Sequence, residues 1–368
     1  DFDRSKIEVT EIDKMGRKAI DTNQVFIDGL KVPLEDRIGE EGKGFHYLLH
    51  GLNPERLLIA AEAIGIGKAA LARATQYAKE RIVFGRPIGK NQAIQHPLAE
   101  SWMALEAANL LTFKAAWLYD NGKECGAEAN SAKYLGGRAA YEACERAILT
   151  HGGYGYAKEF HVERFLRDCR INTIFEGSSE IMRLFIAREA LDPHLKVAGA
   201  VLNSQLPLGV RAKAALGAGL FYAGWYPRQW LPSLGSVDAH PAFAKHLKFA
   251  RRTAKKLARS LYHAMVLNGP ALEKQQVLLG RFVDIGTELF ALTATCARAE
   301  AKLKGAKSLE EKESLLQLVE CICQQSRLRI ARHFAGLHHN ADRAGYKLAQ
   351  GVLSGRLGWL EDGIVARR

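Results

Sequence analysis

A helical repeat of apolar residues, broken at only a few points, constrains this chain more than any other sequence feature. Between positions 45 and 81, apolar residues recur every three or four positions: Leu48, Leu52, Leu58, Ala61, Ile64, Ile66, Ala70 and Ala74. That spacing places them on one face of an α-helix. Helices are also predicted at 92–119 and 127–150, ending at Asp-Asn-Gly and His-Gly-Gly, and a fourth follows Ser178. Four helices with short connections predict an antiparallel bundle.

The rest of the chain divides into segments on either side of this bundle. Residues 1–40 alternate polar and apolar side chains around turn residues, which predicts strands, although too few for a sheet domain of their own. Residues 196–237, rich in Pro, Gly and Trp, are interpreted as a connector, and residues 238–368 return to a helical pattern. The predicted fold is mainly α, with the last strands of a β-domain, a four-helix bundle at 41–195 and a second helical bundle after the connector.

Charge and cysteine content narrow the partners and the compartment. The formal net charge of +12 over 368 residues favours anionic partners such as acyl-CoA, acidic phospholipid, nucleic acid or an acidic protein. No run of about 20 apolar residues is present, so no transmembrane helix is expected. The six cysteines are scattered, and Cys321 and Cys323 lie too close together for a zinc pair, so no metal is expected. Reduced thiols favour a reducing compartment of the cytoplasmic or mitochondrial-matrix type.

One carboxylate is distinguished by the residues around it. Glu176 lies between Phe175 and Gly177, and Ser178 follows as a natural N-cap for the fourth helix. Glycine allows a sharp backbone turn, and the free N–H groups of a helix start suit an anion or a polar cofactor. A carboxylate held in an apolar setting is a usable general base. From these residues alone, a helix cap beside a solvated acid remains the alternative.

The segment around Glu176 resembles a known family signature. The run VERFLRD…IFEGSSEI, with HGGYGY just before it, resembles the signature of acyl-CoA dehydrogenases, across the family's C-terminal four-helix domain. These flavoenzymes use FAD to oxidise an acyl-CoA thioester to the trans-2-enoyl-CoA and pass electrons to an electron-transfer flavoprotein. The helical region after residue 238 resembles the very-long-chain branch, which implies a long-chain fatty acyl-CoA substrate in β-oxidation. The family's N-terminal half has no counterpart here, so this chain is expected to be only part of the active enzyme.

The resemblance also implies roles for particular residues. Glu176 matches the base that removes the α-proton, while a minority of the family has its base at the position of Glu55, which stays as the alternative. Cofactor contacts are implied for Arg81, Phe84, Gln92, His151, Gly152, Gly153, Ser178 and Glu180. Substrate contacts are implied for Asn53, Arg56, Phe175 and Gly177. Arg81 and Gln92 are expected to reach the FAD of a neighbouring subunit, which implies a homodimer or a tetramer. Leu149 stands where relatives often carry Gln, so one flavin hydrogen bond is not expected.

A basic segment at 242–265 opens a second interpretation. Its sequence, AFAKHLKFARRTAKKLARSLYHAM, places apolar residues on one helix face and Lys and Arg over the remainder. Such a helix suits either peripheral contact with an anionic membrane or a bundle with a solvated face. The alternative function is a low-activity relative that binds DNA or membrane through this domain. Because the basic stripe lacks interleaved aromatics for base stacking, nucleic acid is not the expected partner.

Overall fold

A computed structural model describes residues 3–232 and 235–363 and shows the mainly α-helical chain that the sequence predicts. The helices are α1 (Gly44–Glu80), α2 (Gln92–Asp120), α3 (Gly126–His151), α4 (Gly153–Tyr156), α5 (Val162–Arg170), α6 (Ser179–Leu202), α7 (Leu208–Arg228), α8 (Pro241–Asn268), α9 (Gln276–Gly305), α10 (Leu309–Gly336) and α11 (Asp342–Leu353). The strands form two antiparallel pairs, β1 (Ile7–Glu11) with β2 (Asn23–Ile27), and β3 (Ile82–Val83) with β4 (Arg86–Pro87). Among the helices described, none combines the length and apolar character needed to span a membrane.

The loop between β1 and β2 is tied to the bundle at one point. Arg17 donates its backbone N–H to the Asp168 carboxylate at 2.6 Å, and its guanidinium pairs with Glu62 of α1 at 2.5 Å. Gly16 lies so close to α5 that an added Cβ would overlap the backbone carbonyl of Arg167. Residues 16 and 17 therefore anchor the strand segment next to the helix that leads towards Glu176.

Helices α1, α2 and α3 pack closely because their facing sides carry small residues. The fully or almost fully buried alanines include Ala63, Ala70, Ala74, Ala108, Ala140, Ala143 and Ala147. Gly67 of α1 faces α3, and a Cβ at this position would lie 3.0 Å from the Cα of Ala140. Since each alanine buries little surface, the packing depends on close backbone approach, which is sensitive to any added volume.

Helix α9 joins the second helical unit to the bundle. Phe282 and Val283 of α9 lie in one core cluster with Met182 and Ile186 of α6 and with residues of α8. On the same helix, Phe290 packs against a cluster shared by α1, α2 and α3. The second unit therefore shares hydrophobic core with the first.

The segment at 196–237, interpreted from sequence as a connector, is largely helical. Helix α6 continues through Pro193, and α7 follows. Pro207 occupies the N-cap of α7 and Pro227 its last turn, so neither proline interrupts the helix interior. The ring of Tyr222 in α7 stacks on His194 of α6, with ring centroids 5.8 Å apart. Pro207 and Pro227 mark helix ends here rather than an irregular linker, and the domain boundaries stay predictions.

The apolar face of the basic helix α8 is buried. Phe243 and Ala250 lie in a core cluster with α9 and α10. Lys245 pairs with Glu320 of α10 at 2.7 Å, and Lys255 donates to the backbone carbonyl of Leu231 at 3.0 Å. A helix whose apolar side is already packed cannot place that side on a membrane, so the structure favours the bundle interpretation of α8.

Candidate active site

The backbone makes a strained turn at Glu176. Glu176 has φ 52° and Gly177 has φ 98°, and for a residue other than glycine this region costs about 1–3 kcal/mol. The φ of Gly177 favours glycine, since a side chain would be strained there, and an added Cβ would also displace the terminal methyl of Met182. Ser178 caps α6 as predicted, because its Oγ accepts the N–H of Ile181 at 3.3 Å. The turn presents a half-buried carboxylate directly before a helix start.

A buried arginine of α1 contacts this turn from within the bundle. Arg56 is 4% exposed, and its guanidinium donates to the backbone carbonyl of Glu176 at 3.5 Å and to Asn130 of α3 at 2.9 Å. The guanidinium also lies 5.2 Å from the ring centroid of Phe185. Burial lowers the pKa of Arg56, while the carboxylates of Glu176 and Glu55 oppose that shift. The structure thus brings Arg56, predicted for the substrate, to the candidate base.

A buried lysine of α3 contacts the turn at the next residue. Lys133 is 1% exposed, and its ammonium donates to the backbone carbonyl of Gly177. Burial, and after it the nearby charge of Arg56, lower the pKa of Lys133 to about 8, while Glu176 and Glu180 oppose the shift. The sequence interpretation placed Glu176 in an apolar setting, whereas the structure places two buried cations behind it.

Sequence reasoning missed Lys133, because lysine in a helix normally lies on the solvated face. One signal was available. Lys133 stands four residues after Ala129 and seven before Ala140, which puts all three on the buried face of α3. A charged residue inside an alanine stripe indicates a partner within the fold.

The other residues predicted to lie around the substrate differ in solvent exposure. Glu55, the alternative base, is exposed on α1 beside Arg56. Asn53 is half-buried one turn earlier, close to the start of α3 at Gly126. Phe175 is half-buried, and the Arg17 guanidinium lies 4.9 Å from its ring centroid. Glu176 therefore has a more enclosed position than Glu55, and the N-terminal segment contributes to its surroundings through Arg17.

A groove of about 880 Å³ at the far end of the bundle is lined by several residues predicted to contact the cofactor. Arg81 follows the last residue of α1, and His151, Gly152 and Gly153 span the junction between α3 and α4. Gly152 has φ 61°, and a Cβ built on either glycine would meet no atom within 4 Å, so bare backbone faces open space. Leu149, an exposed residue near the end of α3, lines the same groove.

Aromatic contacts fix the walls of this groove. The His151 ring stacks on Tyr77 with centroids 4.3 Å apart, and its Nδ1 lies 2.7 Å from the Ala147 carbonyl oxygen. The Arg81 guanidinium lies 5.6 Å from the Tyr154 ring centroid. The Arg81 guanidinium over the Tyr154 ring, beside the exposed backbone of the two glycines, suits a phosphate-bearing nucleotide.

Two predicted cofactor residues are exposed and do not line the groove. Phe84 is 99% exposed with φ 53°, and Gln92 is exposed at the first position of α2. Their neighbours Val83 and Asn91 line the groove instead. A phenylalanine with so little contact in its own chain is available to another molecule, and the cofactor role of both residues stays a prediction.

The predicted cofactor residues thus fall into two groups. Ser178 and Glu180 lie with the turn at Glu176, and the others lie at or beside the groove. On α3, Lys133 contacts the turn and His151 lines the groove. These two residues are 18 positions apart, or about 27 Å along the helix. Across residues 3–232 and 235–363, no group of His, Cys, Asp or Glu side chains is arranged to hold a metal ion.

Comparison with known proteins places these features in context. Residues 42–191 match the acyl-CoA dehydrogenase C-terminal domain. A probable acyl-CoA dehydrogenase of Mycobacterium tuberculosis is 39% identical over 95% of this chain and 56% of its own length. The human mitochondrial very long-chain specific acyl-CoA dehydrogenase is 31% identical over 86% of this chain and 48% of its own. A Bacillus anthracis acyl-CoA dehydrogenase complexed with FAD is 25% identical, with a TM-score of 0.75 over 94% of this chain and 59% of that one. The chain spans about half the length of the curated relatives it matches.

Proposed function

Because the chain belongs, through residues 42–191, to the acyl-CoA dehydrogenase family, we propose that it is the helical part of an FAD-dependent enzyme that converts a long-chain fatty acyl-CoA to the trans-2-enoyl-CoA. The observation that carries this proposal is Glu176, held on a strained turn at a helix start and backed by buried Arg56. Strain of this kind is retained where surrounding contacts enforce it, and it is concentrated at active sites.

In this proposal Glu176 is the base that removes the α-proton of the thioester. Its half-buried position limits water around the carboxylate, and the turn gives it a defined direction. The backbone N–H of Glu176 is assigned to the thioester oxygen, where charge develops as the proton leaves. Arg56 holds the backbone of the turn from within the bundle, because its guanidinium donates to the Glu176 carbonyl.

The groove at the end of α3 fits FAD. The fork of Arg81 suits a pyrophosphate, and the open backbone at Gly152 and Gly153 permits close approach of a dinucleotide. When bound there, FAD would supply the acceptor for the β-hydrogen as hydride, with an electron-transfer flavoprotein as the proposed electron acceptor. Lys133, which contacts the Glu176 turn, and His151, which lines the groove, lie far apart along α3. We therefore assign the turn and the groove to two different cofactors. Each FAD would then be held by Ser178 and Glu180 of one chain and by the groove of its neighbour.

This assignment implies that the chain assembles with further copies of itself. A homodimer, or a tetramer built from two such dimers, would supply both halves of each cofactor site. The exposed Phe84 supports the assembly, since its ring is free to contact a neighbouring chain.

The long-chain substrate and the role in fatty acid β-oxidation are supported by the similarity to the human very long-chain enzyme, which extends into the second helical unit. A reducing compartment agrees with the six free cysteines.

The test is spectroscopic and uses the enzyme purified with its flavin. An absorbance scan should show bound FAD, and anaerobic mixing with a long-chain saturated acyl-CoA should bleach the flavin band. Sedimentation should show a dimer or larger species. Salt-sensitive binding of duplex DNA without any bleaching would instead favour the DNA-binding alternative.

A further inference from the structure

Burial of the Lys133 ammonium group has a large free-energy cost. Moving an ammonium group from water into a protein interior costs several kcal/mol unless other groups compensate, and Lys133 is 1% exposed. The charged groups that face it are Arg56 from α1, Glu176 from the turn and Glu180 from the first turn of α6. Two cations and two carboxylates therefore meet where α1, α3 and α6 converge. Burial and Arg56 lower the pKa of Lys133 to about 8, and the two carboxylates oppose that shift.

Lys133 and Arg56 contact consecutive carbonyl groups. Arg56 donates to the carbonyl of Glu176 and Lys133 to that of Gly177. These are the two residues whose φ is positive in this turn. Fixing both carbonyls fixes the peptide planes on either side of Gly177, and with them the direction in which the Glu176 side chain leaves the backbone.

We infer that Lys133 is a positioning residue for the catalytic carboxylate: its ammonium holds the Gly177 carbonyl so that Glu176 points at the substrate. The inference rests on the proposed function. A displacement of about 1 Å in a reacting group can slow a reaction by as much as 100-fold, so a small relaxation of this turn has a large consequence. Lys133 acts through the backbone of Gly177 and does not exchange a proton with the substrate.

The main test replaces Lys133 with Met, which has a similar shape and no charge. Because the Gly177 carbonyl loses its donor, Tm should fall whether or not Lys133 positions the turn. A lysine kept only for stability would leave the reduction rate of the folded variant at the wild-type value. The limiting rate of anaerobic flavin reduction by a long-chain acyl-CoA should fall about 10- to 100-fold, with an unchanged dependence on acyl-CoA concentration. Lys133→Arg, which keeps the charge and the donors, should restore part of that rate.

Tyr134→Phe is the matched control. Tyr134 is the next residue of α3, is 2% exposed, and donates to Asp284 at 2.7 Å, away from the turn. Its loss should lower Tm and leave the reduction rate unchanged. A wild-type reduction rate in Lys133→Met, or an equal loss of rate in Tyr134→Phe, would overturn the inference.

A second readout uses the chain without flavin. Backbone order parameters of Glu176, Gly177 and Ser178, measured by ¹⁵N relaxation, should fall from rigid values of about 0.85 towards about 0.6 in Lys133→Met. Unchanged order parameters would show that Lys133 does not hold the turn. This measurement separates the two proposals, because a turn that loosens in a protein that never bleaches with acyl-CoA rejects the dehydrogenase function and keeps the role of Lys133.

Discussion

Removing Asp284 should weaken the attachment of the second helical unit to the bundle. Asp284 of α9 is 6% exposed, accepts the Tyr134 hydroxyl at 2.7 Å and pairs with the Arg183 guanidinium of α6. Burial raises the pKa of Tyr134 to about 12, with Asp284 adding to the shift, so Tyr134 stays a donor at all ordinary pH values. One carboxylate thus links α3, α6 and α9.

The expected loss of stability follows from the ion-pair partner, Arg183, that Asp284→Ala leaves without a carboxylate. Removing one partner of a fully buried ion pair costs about 3–5 kcal/mol. The Arg183 side chain is about one-third exposed and regains some hydration, so the lower end, about 3 kcal/mol, applies. At about 2–4 °C per kcal/mol, Tm should fall by about 6–12 °C.

Differential scanning calorimetry measures this loss, with Asp192→Ala as the control. Asp192 forms an exposed i,i+4 pair with Arg188 on α6, a contact worth about 0.3–0.5 kcal/mol. The expected result is a large loss of Tm for Asp284→Ala and almost none for Asp192→Ala. Equal, small losses in the two variants would refute the view that this carboxylate holds the units together.

Two further predictions concern the N-terminal anchor and acid stability. Gly16→Ala should detach the strand segment, because its Cβ would overlap the Arg167 carbonyl, and limited proteolysis should then cut within residues 1–40 faster than in wild type. Burial lowers the pKa of His194 and of His333 below 6.5, so the unfolded chain binds more protons. Tm should therefore fall as pH drops from 7.5 through 6.5 towards 5.5, and fall less in His194→Gln; a pH-independent Tm would contradict this.

Sequence periodicity predicted the helices of the first bundle because each buries one regular apolar face. The bounds expected for the first helix, 45–81, differ from α1 by a single residue at each end. Helix α7 was not predicted, because its packing depends on aromatic contacts such as Tyr222 with His194, which leave no regular stripe, and because Pro207 and Pro227 suggested a linker.

The candidate site was predictable only where a local motif carries it. Glu176, Gly177 and Ser178 are adjacent, so turn and cap chemistry identified them from sequence. Lys133 and Arg17 reach the site from other elements, and contacts between residues distant in sequence cannot be inferred from helical spacing. The contacts of Lys133 with Gly177 and of Arg17 with Phe175 could therefore be found only from the structure.

The central claim is that Glu176 is the base, and the rate of flavin bleaching in two matched variants tests it most directly. Glu176→Gln and Glu55→Gln each keep the side-chain shape and remove the proton acceptor. On anaerobic mixing with a long-chain acyl-CoA, Glu176→Gln should retain its FAD and bleach about 10²- to 10⁴-fold more slowly than wild type, while Glu55→Gln bleaches at close to the wild-type rate. Bleaching of Glu176→Gln at the wild-type rate would contradict the claim, and a slow Glu55→Gln beside it would move the base to α1.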